Sequence, residues 1–574
     1  MTRTYPLLSD LDTLLKNKGV PVEKDRLIEI FHVINDTFGC LPKTYLRAVS
    51  NLVGRNEAEV YGIASFYHHF KIVDKIPDEK LITIRVCNGL SCCMSGAKEL
   101  FETLNRQLQS EQSISVVNAP CVGRCEQAPV AVVQKNPIPN ARPDKIIQAL
   151  QSRNLEHPAA MPNCAAFDPV EVVTVKNGQI KVEEANNPDW VGLDAYISSG
   201  GYSLLGSIRD GSRSQASAIA ELKGSNLRGL GGAGFAAGQK WEIVSSFDGP
   251  RYVVVNLDEG EPGTFKDRNY LERDPHRFLE GLLIATNIID AVKSYIYIRD
   301  EYAGGLTVLG QAIDELIKAY IVEPDQIEIR RGAGAYICGE ESALIESIEG
   351  KRGEPRQRPP YVAEKGLFNR PTLVHNFETL YWVRDILERG ALWFTSFGRR
   401  GRKGLRSFSV SGRVKNPGVK IAPAGISLIE LVEEFCGGML DGHDLYGYLP
   451  GGASGGILPS RLADIPLDFD TLQEHGCFIG SAAVVVLSQH DKAREAATNA
   501  MEFFVGESCG QCSPCRLGTH HAARLMKESV WDITALESLS HVLKDASICG
   551  LGQAAPNVID CVRNYFPAEI RDHD

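Results

Sequence analysis

The sequence predicts a multidomain α/β protein, with helices first, α/β units in the middle and a helical bundle at the end. Three observations carry this reading. At 574 residues the chain exceeds one hydrophobic core and corresponds to about four domains. Strand-like and helix-like stretches alternate in separate blocks, as layered α/β folds require. Beyond Asp491 the pattern becomes helical almost throughout.

Residues 1–75 form the N-terminal helical segment. Leu27, Ile30, Phe31 and Ile34 recur at helical spacing, and a second run passes through Val60, Ile63 and Phe70. His68 and His69 lie there and read as a packed or solvated pair rather than a metal site. Residues 76–155 change pattern. LITIRVC is strand-like, CMSGAKELFETLNRQL helical, SISVVNAPC and PVAVVQ strand-like, and PDKIIQAL helical. This β-α-β-β-α order suggests a thioredoxin-like domain by analogy of fold. Residues 156–190, with Pro and Asn scattered through them, read as a linker holding one hairpin.

Residues 191–400 mix strands such as RYVVVNLDEG and YIYIRDE with helices, an α/β layer pattern. In 401–490 a hairpin-like pair (SFSVSG, GVKIAPAG) precedes the helix ISLIELVEEF and further short strands, which suggests a β-grasp-like, ubiquitin-like insert. Residues 491–574 hold three helical runs, KAREAATNAMEFFV, CRLGTHHAARLMK and ITALESLSHVLKD.

The net charge of −11 argues against a nucleic-acid partner, which wants a basic face. No apolar stretch approaches the roughly 20 residues of a membrane helix. The N-terminus lacks the apolar run of a secretory signal, so a cytoplasmic protein with no direct membrane insertion is expected. In a reducing compartment, 15 cysteines point to metal or redox chemistry rather than disulfides.

Eight of those cysteines fall into two sets. ESCGQCSPCRLG places Cys509, Cys512 and Cys515 at i, i+3 and i+6, and Cys549 follows across a helical hairpin. A compact loop wrapping three corners with a remote fourth ligand is the pattern of a 4Fe–4S cubane. Zinc more often takes two paired halves. Earlier, Cys87 and Cys92 form one pair and Cys121 and Cys125 another, each after a strand. Two thiolate pairs suit a 2Fe–2S rhomb, although paired ligands are also the habit of zinc. The other seven cysteines read as buried thiols.

GSNLRGLGGAGFAAGQKW contains Gly229, Gly231 and Gly234 in G-x-G-x-x-G order. A dinucleotide fingerprint should follow a strand, and this one follows a helix-like stretch. A glycine loop still lets backbone N–H groups approach a phosphate or a flat ring, and Lys240 can neutralise a phosphate. The loop reads as a nucleotide or flavin cradle, or else as a surface turn. Asn256, Asp258, Glu259 and Glu261 lie just past a strand end, where α/β folds carry ligands. Glu340 and Glu341 open a helix, where carboxylates are favourable as simple caps or can accept hydrogen bonds from ribose. Arg352, Arg356 and Arg358 follow and can meet a pyrophosphate or form a solvated loop.

At these residues the chain resembles a known family. LRGLGGAGF, NLDEGEPGTFKDR, YICGEESALIESIEG and ESCGQCSPCRLG are similar to the FMN- and NADH-binding subunit of respiratory complex I, from about Gly200 onward. The first 150 or so residues resemble its small 2Fe–2S partner. Their fusion, ending 13 residues after Cys561 with no appended ferredoxin domain, looks like the diaphorase subunit of soluble NAD-reducing NiFe hydrogenases. A complex I module or the diaphorase of an NAD-dependent formate dehydrogenase shares the same parts.

The resemblance implies FMN, NAD, a 4Fe–4S cluster and a 2Fe–2S cluster as cofactors. It places Gly229, Gly231 and Lys240 on the flavin phosphate side, and Asn256, Asp258, Glu259, Gly339, Glu340 and Asn376 along the rest of the flavin. NAD would lie against Gly232 and Phe235, with Glu261 and Glu341 bonding to it and Arg358 and Tyr361 near its adenine end. His375 and Arg358 stand where the family often has asparagine and lysine. A carboxylate such as Glu341 near the nucleotide favours NAD over NADP by repelling a 2′-phosphate. A flavin converts between two-electron hydride and one-electron carriers, so no side-chain general acid is expected. The implied partners are NAD(H), a small iron–sulfur diaphorase subunit and the NiFe hydrogenase subunits.

Overall fold

In the computed structural model the described residues are 8–158, 160–170 and 189–571. Most of the linker in which a hairpin is expected, 171–188, lies outside them. The N-terminal segment forms the helices Leu27–Phe38, Lys43–Val53 and Glu57–Ala64. Gly39 and Gly54 end the first two with φ of 73° and 66°, the left-handed turn that lets a helix stop sharply. Leu27, Ile30, Phe31 and Ile34, read as an apolar face, are all fully buried.

That face joins the core of the large α/β unit, so the N-terminal helices do not stand apart. Arg330 Nη2 reaches Asp25 at 2.7 Å, and Arg331 Nη1 reaches Asp36 at 2.7 Å. Tyr67 donates its hydroxyl to the Lys351 carbonyl at 2.6 Å. Residues from Leu11 to Ile570 share one continuous core.

The thioredoxin-like unit keeps its own smaller core around Ile84, Val86, Leu104, Val133 and Ile146. Its sheet runs Ile114–Ala119, Ile82–Cys87, Ala131–Val133, Asn136–Ile138, with the first pair parallel and the other two antiparallel. The strand Asn136–Ile138 is too short to carry a periodicity and is not foreseen from sequence.

The large α/β unit holds a four-stranded parallel sheet in the order Ile327–Arg331, Ala291–Ile298, Arg251–Leu257, Thr372–Asn376. The chain builds outward from Arg251–Leu257 to one side and then crosses to Thr372–Asn376 on the other. Strand order therefore reverses between these two, and such a switch point opens a crevice at the strand C-termini. Asn256 and Asn376 are register partners at that mouth.

The insert has the sheet order Gly418–Pro423, Leu405–Gly412, Ala483–Ser488, Leu445–Leu449, Leu458–Pro459. The opening pair is an antiparallel hairpin, a helical turn follows at 428–435, and the last strand inserts parallel to the first. That is the β-grasp arrangement. The C-terminal part packs Ala493–Glu507, Ser513–Met526, Ile533–Ala546 and Asn557–Tyr565 into a helical bundle.

Candidate functional site

The glycine loop follows the helix Gln215–Gly224, not a strand, and leads into the helix Ala237–Ser245. It closes on itself: Gly229 N–H donates to the Phe235 carbonyl at 2.8 Å and Gly234 N–H to Gly229 at 3.2 Å. Leu230 N–H donates to Thr379 Oγ1 at 2.9 Å, pinning the loop over the switch point. A Cβ on Gly231 would sit 3.0 Å from the Asn376 Cβ, a tight contact, so glycine lets the loop lie close to the strand mouth without displacing Asn376. Gly234 is left-handed (φ 67°), and a Cβ there would meet the Phe469 ring at 2.7 Å. Phe235 is half exposed beside it.

At the mouth, Asn256 Nδ2 donates to the Gly339 carbonyl at 2.8 Å and its Oδ1 accepts the Asp258 N–H at 3.1 Å. Asp258 is partly buried, its Oδ2 lies out of solvent with no protein partner, and burial pushes its carboxyl up to about 8. Asn376 Nδ2 donates to Asp267 at 2.6 Å while its Oδ1 caps the next helix through Glu378 N–H. The four charged residues Lys240, Glu340, Glu341 and Arg358 form one cluster. Lys240 Nζ lies 3.2 Å from Glu341, and Arg358 Nη2 lies 3.3 Å from Glu341 and also pairs with Glu340. Glu340 doubles as the helix cap, accepting Ser342 and Ala343 N–H at 3.0 and 2.9 Å. Tyr361 is exposed beyond Arg358.

Two of the acidic residues are engaged inside the protein. Glu259 accepts the Asp267 and Arg268 N–H groups at 2.9 and 3.2 Å and the Tyr302 hydroxyl at 2.9 Å. Glu261 accepts the Tyr336 hydroxyl, Ser454 N–H at 2.8 Å and Ser454 Oγ at 2.9 Å. Tyr336, Ser454 and Thr379 are not singled out by sequence, because ordinary residues in loops give no spacing signal. His375 is also inward: Trp241 Nε1 donates to its Nε2 at 2.8 Å, and burial holds the ring neutral, well below its ordinary range.

The paired cysteines come together. Cys87 and Cys92 are each 1% exposed, Cys121 1% and Cys125 6%. The Cys121 and Cys125 sulfurs are 3.3 Å apart, and Cys87 lies against both Cys121 and Cys92. The loop that carries Cys121 and Cys125 is fastened to the large α/β unit. Arg299 donates to the Cys121 carbonyl at 2.8 Å, Arg268 Nε to the Gly123 carbonyl at 2.8 Å, and Arg124 pairs with Glu272 at 2.9 Å.

The second quartet gathers at helix ends. Cys512 and Cys549 immediately precede the helices Ser513–Met526 and Gly550–Ala554, whose N-terminal dipoles favour negative charge. The Leu551 and Gly552 backbone N–H groups favour the thiolate of Cys549 against the opposing effect of burial. A Cβ on Gly552 would sit 3.0 Å from the Cys515 Cβ, so this glycine permits the two helix starts to meet. Burial, first, and the neighbouring thiols push Cys509 and Cys515 up to about 11. Glu340, in the charged cluster at the crevice, is among the charges felt by Cys549. Thiol-only sets suit clusters or zinc, and a helix-dipole setting for four thiolates fits an anionic cluster.

His32, His69 and Asp300 bring their ligand atoms within 4.8 Å of one another. His69 Nδ1 already bonds Asp300 at 2.7 Å, Arg331 occupies the other Asp300 oxygen, and Arg85 lies 3.4 Å from that ring. With two guanidiniums in place the group reads as an ion-pair network joining the N-terminal helices to the sheet. The packed reading of His69 holds, while His68 is exposed, 3.8 Å from Glu507.

The glycine crevice and the two thiol quartets define an iron–sulfur flavoprotein of the oxidoreductase class. Residues 222–385 match the Nuo51 FMN-binding domain, 13–154 the thioredoxin-like [2Fe-2S] ferredoxin, and 495–573 the NADH-ubiquinone oxidoreductase-F iron-sulfur binding region. The chain is 40% identical over 401 residues to an NADH-quinone oxidoreductase subunit of Rhizobium meliloti, covering 67% of this chain and 95% of that protein. It is 42% identical over 373 residues to the mitochondrial NADH dehydrogenase [ubiquinone] flavoprotein 1 of Dictyostelium discoideum, covering 62% and 78%. The chain belongs to the family of these NADH-quinone oxidoreductase flavoproteins, joined to a thioredoxin-like [2Fe-2S] ferredoxin. Among solved structures it is similar to an NAD+-reducing [NiFe]-hydrogenase in the H2-reduced state, with TM-score 0.81 and 28% identity, covering 96% of this chain and 94% of that one. No helix of the described residues is long and apolar enough to cross a membrane.

Proposed function

We propose that this chain is the diaphorase subunit of an NAD-reducing NiFe hydrogenase, exchanging hydride between NAD(H) and FMN and single electrons with its clusters. One observation carries the choice: the likeness to the hydrogenase chain runs end to end, 96% of this chain and 94% of that one. The two NADH-quinone oxidoreductase relatives match only 62% and 67% of this chain. Their higher identity supports a second reading, the equivalent module of complex I. The partners of the first reading are a small iron–sulfur diaphorase subunit and the NiFe hydrogenase subunits, in the cytoplasm.

In this reading Cys87, Cys92, Cys121 and Cys125 hold the 2Fe–2S cluster, and Cys509, Cys512, Cys515 and Cys549 the 4Fe–4S cluster. The fit of a flavin rests on the strand switch point, the Gly231 close approach and the unpartnered Asp258 oxygen, a buried acceptor or donor awaiting a polar ligand. Gly229, Gly231, Asn256, Gly339 and Asn376 shape that crevice, and Lys240 meets the phosphate by exchanging Glu341 for it. Glu259 acts from behind, fixing the loop after Asp258. Gly232, Phe235, Glu261, Glu341, Arg358 and Tyr361 line the nucleotide side. FMN, when bound, supplies the exchange between a hydride and single electrons; the side chains bind, orient and exclude water.

The test is co-purification of the native complex with metal analysis. Nickel beside iron supports the hydrogenase reading. Molybdenum or tungsten would place the chain with a formate dehydrogenase, and a quinone-reducing assembly without nickel would favour complex I.

A further inference from the structure

Seven cysteines lie outside the two quartets, and two of them meet. Cys477, in the β-grasp unit, and Cys561, in the helix Asn557–Tyr565, are 84 positions apart in the chain, yet their sulfurs are 3.5 Å apart. They are 2% and 1% exposed. Gly456 passes over both: a Cβ there would lie 2.6 Å from the Cys477 sulfur and 2.9 Å from the Cys561 sulfur. The backbone thus wraps the pair on one side and leaves each sulfur the other as its nearest reactive neighbour.

The pair also sits on a path to the crevice. Asn557, in the same helix as Cys561, donates from Nδ2 to the Ser454 carbonyl at 3.0 Å. Ser454 in turn donates from N and Oγ to Glu261. A bond between Cys477 and Cys561 would fix the last helix to the segment around Cys477, whose neighbour Phe478 donates its N–H to the Gly455 carbonyl at 3.2 Å, and so tie it to the 451–456 loop by a second route.

We propose that Cys477 and Cys561 form a reversible disulfide, a modification site separate from both clusters, with a hydroperoxide as the oxidant. Closing to a bond of about 2.05 Å asks the sulfurs to approach by roughly 1.5 Å, within reach of side-chain rotation. One thiol, as thiolate, attacks the peroxide O–O bond, giving a sulfenic acid and one water once the released hydroxide takes a proton. The second thiol then displaces the sulfenic hydroxyl as water. With hydrogen peroxide two S–H bonds are lost, one S–S bond forms, and two waters carry away both protons and both electrons. A dithiol reverses the step by exchange.

The experiment treats the cofactor-loaded full chain with hydrogen peroxide in small steps. Remaining thiols are blocked with N-ethylmaleimide, unreduced peptides are mapped by mass spectrometry, and iron is measured in parallel. A linked Cys477–Cys561 peptide pair should appear before iron is lost and vanish on treatment with dithiothreitol. It should raise the thermal midpoint by about 2 °C or more, a shift absent from Cys561→Ser. Should that variant fail to fold, Cys477→Ala supplies the same control. Recovery of both residues as blocked thiols at a dose that strips iron overturns the proposal. So does their appearance as sulfinic acids, or their linkage to other cysteines.

Discussion

Asp258 follows the strand Arg251–Leu257, His375 lies in the neighbouring strand Thr372–Asn376, and in both burial is the largest cause of a shift toward the neutral form. Between about pH 4 and 8 the folded chain keeps a proton on Asp258 that the unfolded chain releases, so Asp258 lowers stability as pH rises through that window. Asp258→Asn should therefore stabilise the cofactor-free chain by about 1–3 kcal/mol at pH 8 and change little at pH 4.5. Denaturant melts at the two pH values check it; equal effects at both would contradict the assignment. His375 and His32 behave in the opposite sense. Both are depressed well below the ordinary histidine range by burial, first, and by a nearby Lys240 or Arg331. Above about pH 6.5 they are neutral folded and unfolded; below it only the unfolded chain takes up the protons, and stability falls as pH drops. His375→Asn should reduce that acid-side loss, read as a smaller drop in urea midpoint between pH 7.5 and 5.5. The departure from family asparagine at 375 is visible in sequence, but its partner Trp241 is not, because the contact joins a helix to a strand 134 positions away.

At the scale of elements, the cluster-bearing loop of the thioredoxin-like unit is held to the large α/β unit by buried arginines. Arg268 reaches Gly123, Glu126 and Glu272. Removing Arg268 leaves Glu126 without its cation and Glu272 with Arg124 alone, so Arg268→Ala should cost about 3 kcal/mol. It should appear as increased protease cleavage between residues 120 and 160 and as loss of the 2Fe–2S absorbance. Gly234→Ala forces a Cβ into a left-handed position against Phe469, a strain of about 1–3 kcal/mol, and should lower flavin content at unchanged iron. The strands and helices of these units are largely readable from period, and so are the ligand spacings ESCGQCSPC and the paired cysteines. The fastening is not: Arg124, Arg268 and Arg299 are surface-like letters whose burial depends on two units meeting. The same holds for Glu259 and Glu261. Sequence marks them as carboxylates past a strand end, and only the fold shows that Tyr302, Tyr336 and Ser454 already occupy them.

Across the whole molecule, the N-terminal helices, the large α/β unit, the insert and the bundle share one core, while the thioredoxin-like unit retains its own. The order of units was legible because each has its own periodicity; their packing into one body was not, since it rests on pairs such as Arg330–Asp25 over 300 positions apart. This arrangement puts Glu340 at once in the charged cluster of the crevice and within the field of Cys549, so the crevice and the second quartet adjoin. NADH, the flavin crevice and the second quartet would then form one electron path within this chain, with the paired-cysteine cluster a side branch or a second relay. An anaerobic NADH titration of the purified chain, loaded with FMN and about six irons, bears on that path without intermediaries. Flavin and iron–sulfur absorbance should bleach together, with Cys549→Ala losing the 4Fe–4S share. A fully loaded chain whose spectrum NADH leaves unchanged would rule the path out.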